Sequence, residues 1–175
     1  LIEKHAKEPF FIAVGFVRPH VPFVAPKKYF DLYPWEQMTL PEKVAGDWDD
    51  IPKPGINYKT SVNMQMDLTR QKKAVSGYYA AVSFMDAQVG TPPAALETSG
   101  QADNTTVIFT SDHGYHLGEH DFWAKVSLHD ESARVPLIVS VPGKKPGMSD
   151  SLVELLDLYP TTAKLCGLDV PARLQ

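Results

Sequence analysis

The chain has 175 residues and a net charge of −4, with 43% hydrophobic and 22% charged residues. That is ordinary for a globular protein and enough for one domain with a sizeable core. There is no long basic run to act as a nucleic-acid footprint, no apolar segment long enough to span a bilayer, and only one cysteine, Cys166, which rules out an internal disulfide framework.

Residues 1–7 read as the tail of a helix continuing from a longer chain, ended at Glu8-Pro9. Residues 10–17 (FFIAVGFV) form an unbroken apolar run, the pattern of a buried parallel strand. Arg18-Pro19-His20-Val21-Pro22-Phe23 follows, and its prolines bias Arg18 and Val21 towards extended backbone. His20 therefore sits on a stiff loop at a strand's carboxyl end, either as a working imidazole or as a loop histidine bonded to backbone. Residues 24–66 are irregular and broken by Pro26, Pro34, Pro41, Pro52 and Pro54. So long an excursion in a compact domain is usually functional or disordered. Its aromatics favour an ordered segment packed over the sheet, with Tyr29, Trp35 and Trp48 as anchors and sugar stacking as their alternative role.

Asp67 is placed to cap a helix running to about Val89. Val75, Tyr78, Tyr79, Val82, Met85 and Val89 form its expected core stripe. Gly90 can close it, and Pro92 or Pro93 can open a second helix ending near Ser99-Gly100. Residues 105–110 (TTVIFT) are β-branched or aromatic throughout and read as a buried strand. The strand runs straight into Asp112-His113-Gly114. In open α/β sheets the carboxyl end of a strand is where ligands bind, and a carboxylate beside an imidazole suits a divalent cation. The alternative is a surface Asp–His pair in a turn. Gly114 permits the sharp bend that would let both side chains face one point.

The loop that follows carries His116, Glu119, His120, Asp121 and Lys125. Lys125, His116 and Arg134 read locally as solvated side chains. Residues 136–143 form the next buried strand and 152–156 a short one. Asp157 is a suitable N-cap for a helix through Cys166, which itself reads as a small buried residue.

Four blocks together resemble the sulfatase family of the alkaline phosphatase superfamily, in its iduronate-2-sulfatase-like branch. They are residues 10–23 (FFIAVGFVRPHVPF), 107–125 (VIFTSDHGYHLGEHDFWAK), 132–143 (SARVPLIVSVPG) and 157–165 (DLYPTTAKL). The resemblance implies an α/β, alkaline-phosphatase-like sandwich with a mostly parallel central sheet flanked by helices. It implies that Asp112 and His113 bind the active-site calcium ion, and that Lys125 and His20 contact the substrate sulfate. Gly118, Glu119 and His120 match a loop expected to be mainly structural.

The family's nucleophile is a formylglycine, made from the cysteine of a Cys-Xaa-Pro/Ala-Xaa-Arg motif. That motif is not in this sequence, and no Asp-Asp pair that could complete the metal site precedes residues 10–17. Residues 1–175 are thus expected to be part of a single catalytic domain lacking its N-terminal half, and inactive alone. The implied substrate is a sulfated sugar, uronate 2-sulfate in a glycosaminoglycan, and the implied compartment lies outside the cytoplasm. Two alternatives stand beside this: a phosphodiesterase or phosphonate hydrolase of the same superfamily, and a non-catalytic glycan-binding module.

Overall fold

The computed structural model describes residues 1–55 and 65–172. Part of the irregular excursion, 56–64, lies outside the described residues. The helices are α1 (Ile2–His5), α2 (Lys27–Phe30), α3 (Leu68–Val89), α4 (Thr91–Thr98), α5 (Asp130–Ala133) and α6 (Leu158–Leu165). The strands are β1 (Val107–Thr110) and β2 (Leu137–Ser140). No helix of the described residues is long and apolar enough to cross a membrane.

α3 is the scaffold, and it starts where the sequence places it. Asp67 is extended, and its carboxylate accepts the Arg70 backbone N–H at 2.8 Å, satisfying one of the helix's free amides. Its buried face is Val75, Ser76, Gly77, Ala80 and Ala81 rather than the larger stripe expected, and Tyr79 is exposed. The small side chains let the excursion lie close against the helix. Ser76 Oγ donates to the Tyr33 carbonyl at 2.6 Å, and the Tyr33 and Ser83 hydroxyls sit 2.7 Å apart. Tyr29 packs on Phe84 and Lys73 lies over the Trp35 ring, so both aromatics anchor the excursion. α4 forms with its prolines in the first turn, where a missing N–H costs nothing.

β1 and β2 pair antiparallel, with Val107 opposite Ser140 and Thr110 opposite Leu137. The mostly parallel sheet expected of the whole domain therefore does not extend to this pair. A parallel pair needs a crossover, usually a helix of some length; among the described residues only a three-residue 3₁₀ turn at Glu119–Asp121 and the four-residue α5 lie between these strands, so the chain doubles back. Residues 10–17 form no regular element and pair with no strand among the described residues, and Phe11 is 81% exposed. Residues 155–157 form a 3₁₀ turn, not a strand, and Leu152 is fully exposed. β2 itself is exposed along its length. These three departures share a reason: an apolar segment is buried only when another element covers its face, and none of the described residues does so.

Two further expectations are corrected near the C-terminus. Asp157 does not cap α6; its carboxylate turns back to accept the Glu154 N–H at 2.8 Å, closing the preceding turn. Cys166 is free and exposed, not a small buried residue. The apolar core lies elsewhere, where Val75, Leu117 and Trp123 meet with Met38, Leu40, Met66, Tyr78 and Tyr115 packed around them. That core forms the floor under the loop following Asp112-His113-Gly114.

Candidate active site

Two loops converge on α3. Phe23 ends the loop carrying His20, and its ring stands edge-on to Tyr78 at 5.5 Å and to Tyr115 at 5.7 Å. Tyr78 and Tyr115 are themselves stacked at 5.7 Å. Burial, and for Tyr78 the neighbouring phenols, raise both hydroxyl pKa values above the ordinary range, so both stay neutral at physiological pH. The aromatic trio thus joins the His20 loop to the loop of Asp112 and His113. No hydrogen bond or ion pair links His20 directly to Asp112, His113 or Lys125 among the described residues. His20 is exposed, with Nδ1 donating to the Val21 carbonyl at 2.6 Å; the Arg18 guanidinium donates to the His20 carbonyl at 2.7 Å. Since a carbonyl only accepts, the proton is on Nδ1, and Nε2 can donate only when the ring is imidazolium.

Asp112 and His113 leave β1 and turn towards each other. The His113 N–H donates to Asp112 Oδ1 at 3.1 Å, and His113 Nδ1 donates to the Gly114 carbonyl at 2.8 Å. In the neutral ring that bond leaves the lone pair on Nε2, 3.6 Å from Asp112 Oδ2. The Asp112 side chain is 84% exposed. One carboxylate oxygen and one neutral imidazole nitrogen on the same open edge suit a hard divalent cation in their chemistry. They supply two donors, well short of the 6–8 that calcium takes, and no group of three or more His, Cys, Asp or Glu side chains converges on a metal position among the described residues.

Gly114 is needed for a different reason than expected. Its φ is not positive; instead a Cβ there would overlap the Glu131 carbonyl oxygen. The 131–132 segment passes directly against the Asp112–His113 loop, and the Gly114 N–H donates to the Ser132 carbonyl at 2.8 Å. The buried Ser132 hydroxyl donates in turn to the Lys125 carbonyl at 2.6 Å. Lys125 is half-buried, and its ammonium makes no ion pair among the described residues. Lys125 and the Gly114 end of the Asp112–His113 loop are therefore both hydrogen-bonded to Ser132. In the sequence Ser132 is one residue of the 132–143 block, and nothing local marks it as a bridge.

The loop's other histidines are not solvated. His116 is fully buried, its Nε2 lies 2.8 Å from the Ser127 hydroxyl, and its Nδ1 has no hydrogen-bond partner. Burial lowers its pKa, against the opposing pull of Glu131 and Glu119. His120 stacks on His129 at 4.2 Å and its Nδ1 is 2.8 Å from Asp47 Oδ2. Trp48 Nε1 donates to the His120 carbonyl at 2.7 Å, and Lys43 pairs with Asp121. These ties hold His120 and Asp121 in left-handed backbone and lock the excursion onto the loop, which accords with a mainly structural role for it.

The family model described as "Sulfatase" matches residues 1–168. A sulfatase of Formosa agariphila is 40% identical over 97% of this chain, and human iduronate 2-sulfatase is 36% identical over the same share. The matched regions are 35% and 38% of those proteins, so the chain spans little more than a third of the length of these curated relatives. Among solved structures, a phosphonate monoester hydrolase from Silicibacter pomeroyi superposes with a TM-score of 0.86 at 26% identity, covering 98% of this chain and 37% of that one.

Proposed function

This chain belongs to the sulfatase family, and from that premise we propose that it is part of a catalytic domain that hydrolyses sulfate esters, with uronate 2-sulfate of a glycosaminoglycan as the substrate class. Likeness to iduronate 2-sulfatase supports that substrate. In this reading the nucleophile comes from the rest of the domain, and the parent protein works outside the cytoplasm.

Asp112 and His113 hold a divalent cation, calcium by family likeness. Bound there, the cation supplies Lewis-acid polarisation of the sulfate oxygens. The single observation carrying the assignment is the His113 tautomer: Nδ1 is committed to the Gly114 carbonyl, so Nε2 presents its lone pair beside Asp112 Oδ2. A sulfate monoester is anionic and builds further charge on its leaving oxygen, so positive groups aimed at it lower the barrier. Lys125 provides an ammonium with no carboxylate partner among the described residues. His20, as imidazolium, donates from Nε2. The carbonyl bond on Nδ1 fixes the orientation of that ring.

The test is turnover by the full-length parent protein on an aryl sulfate and on a 2-sulfated uronate disaccharide. Hydrolysis of both is expected, with the disaccharide preferred. Lys125→Ala and His20→Ala should each lower kcat/KM by about a hundred-fold, the scale of losing one charge-stabilising donor, while folding stability changes little. Wild-type turnover in either variant removes that residue from the site. A second reading, phosphonate ester hydrolysis, is favoured by the 0.86 TM-score to the phosphonate monoester hydrolase. Preference for an aryl phosphonate over the aryl sulfate would move the assignment there.

A further inference from the structure

We propose that Ser132 is a positioning residue, whose hydroxyl sets the place of Lys125 relative to the Asp112–His113 pair; this rests on the site reading above. Its two polar groups serve different segments. The carbonyl receives the Gly114 N–H at 2.8 Å, and the hydroxyl donates to the Lys125 carbonyl at 2.6 Å. Ser132 is 3% exposed, so no water replaces either bond when it is lost. The adjacent Glu131 carbonyl fills the space where Gly114 lacks a Cβ, which prevents the two segments from sliding.

The two bonds have separable consequences. The carbonyl bond is backbone and survives any side-chain change. The hydroxyl bond acts only on Lys125, whose own carbonyl is the acceptor. Removing the hydroxyl frees the 125 backbone while leaving the Asp112–His113 loop fastened. A displacement of about 1 Å in a charge-stabilising group is enough to cost one to two orders of magnitude in rate.

A double-mutant cycle in the full-length parent protein tests this, with kcat measured on an aryl sulfate at saturating calcium. Ser132→Ala is expected to lower kcat about ten-fold in the wild-type background and less than about two-fold in the Lys125→Ala background, because its effect passes through Lys125. Half-saturating calcium should be the same with and without the hydroxyl. Ser132→Thr, which keeps the hydroxyl, should retain turnover, and Ser132→Cys, nearly isosteric but a weak donor, takes the place of alanine if that variant does not fold. Equal losses in both backgrounds, wild-type kcat without the hydroxyl, or a threonine variant as impaired as the alanine one would each overturn the inference while leaving the site reading intact. Wild-type turnover in Lys125→Ala would overturn both.

Discussion

Gly114 and His116 show how much single residues near the proposed site carry. At Gly114 any side chain meets the Glu131 carbonyl, a backbone atom that cannot rotate away. Gly114→Ala should cost about 2 kcal/mol, the usual scale of overpacking a tight contact, read as a lower denaturant midpoint at unchanged m-value. His116 is buried and neutral, with its pKa below the ordinary histidine value because burial disfavours the charged ring. The unfolded chain takes up a proton near pH 6.5 while the folded chain resists, so the unfolded state binds more protons and stability falls as pH drops below that point. The melting temperature should therefore decline more steeply between pH 7 and pH 5 for the natural protein than for His116→Gln. Parallel pH profiles would show that His116 stays uncharged in neither state's favour. The sequence marked His116 as one more loop histidine, because burial is a property of what surrounds a residue and His116's neighbours come from residues 119–131.

Among the elements, α3 was the most legible, since a helix start is set by local chemistry. An acid before an unbroken helical stretch and a glycine after it are both in the sequence, and Asp67 does cap Arg70. Asp67→Ala should destabilise the protein by about 1 kcal/mol, the ordinary value of an N-cap, measured by thermal or denaturant unfolding. A fall below a few tenths would mean the cap is redundant with the tertiary contacts of α2 and the excursion. The strands were less legible. Residues 10–17 and 107–110 share an apolar, β-branched character, yet only the second is paired in the described structure. Pairing partner and direction depend on long-range closure, here the helix-poor return from β1 to β2, which periodicity does not encode.

Across the whole molecule, the exposed apolar side chains of Phe11, Val17, Ile138 and Leu152 contrast with the packed centre around Val75, Leu117 and Trp123. The 175-residue chain by itself is expected to give no turnover of an aryl sulfate, because the site reading assigns it cation and anion contacts but no nucleophile. Activity above that of an Asp112→Ala control would refute that division of labour.

The sequence by itself determined the family, the extent and caps of α3 and α4, and the residue types offered to a cation and a sulfate. Each of these is written in local spacing and side-chain chemistry. Only the tertiary structure decided that β1 and β2 run antiparallel, that His116 is buried, that the small residues of α3 face the excursion, and that Ser132 joins Lys125 to the Asp112–His113 loop. These depend on how the chain folds back on itself, over 7 residues between Lys125 and Ser132 and over 50 between Tyr33 and Ser83, and neither helical nor strand spacing marks such a meeting in the sequence.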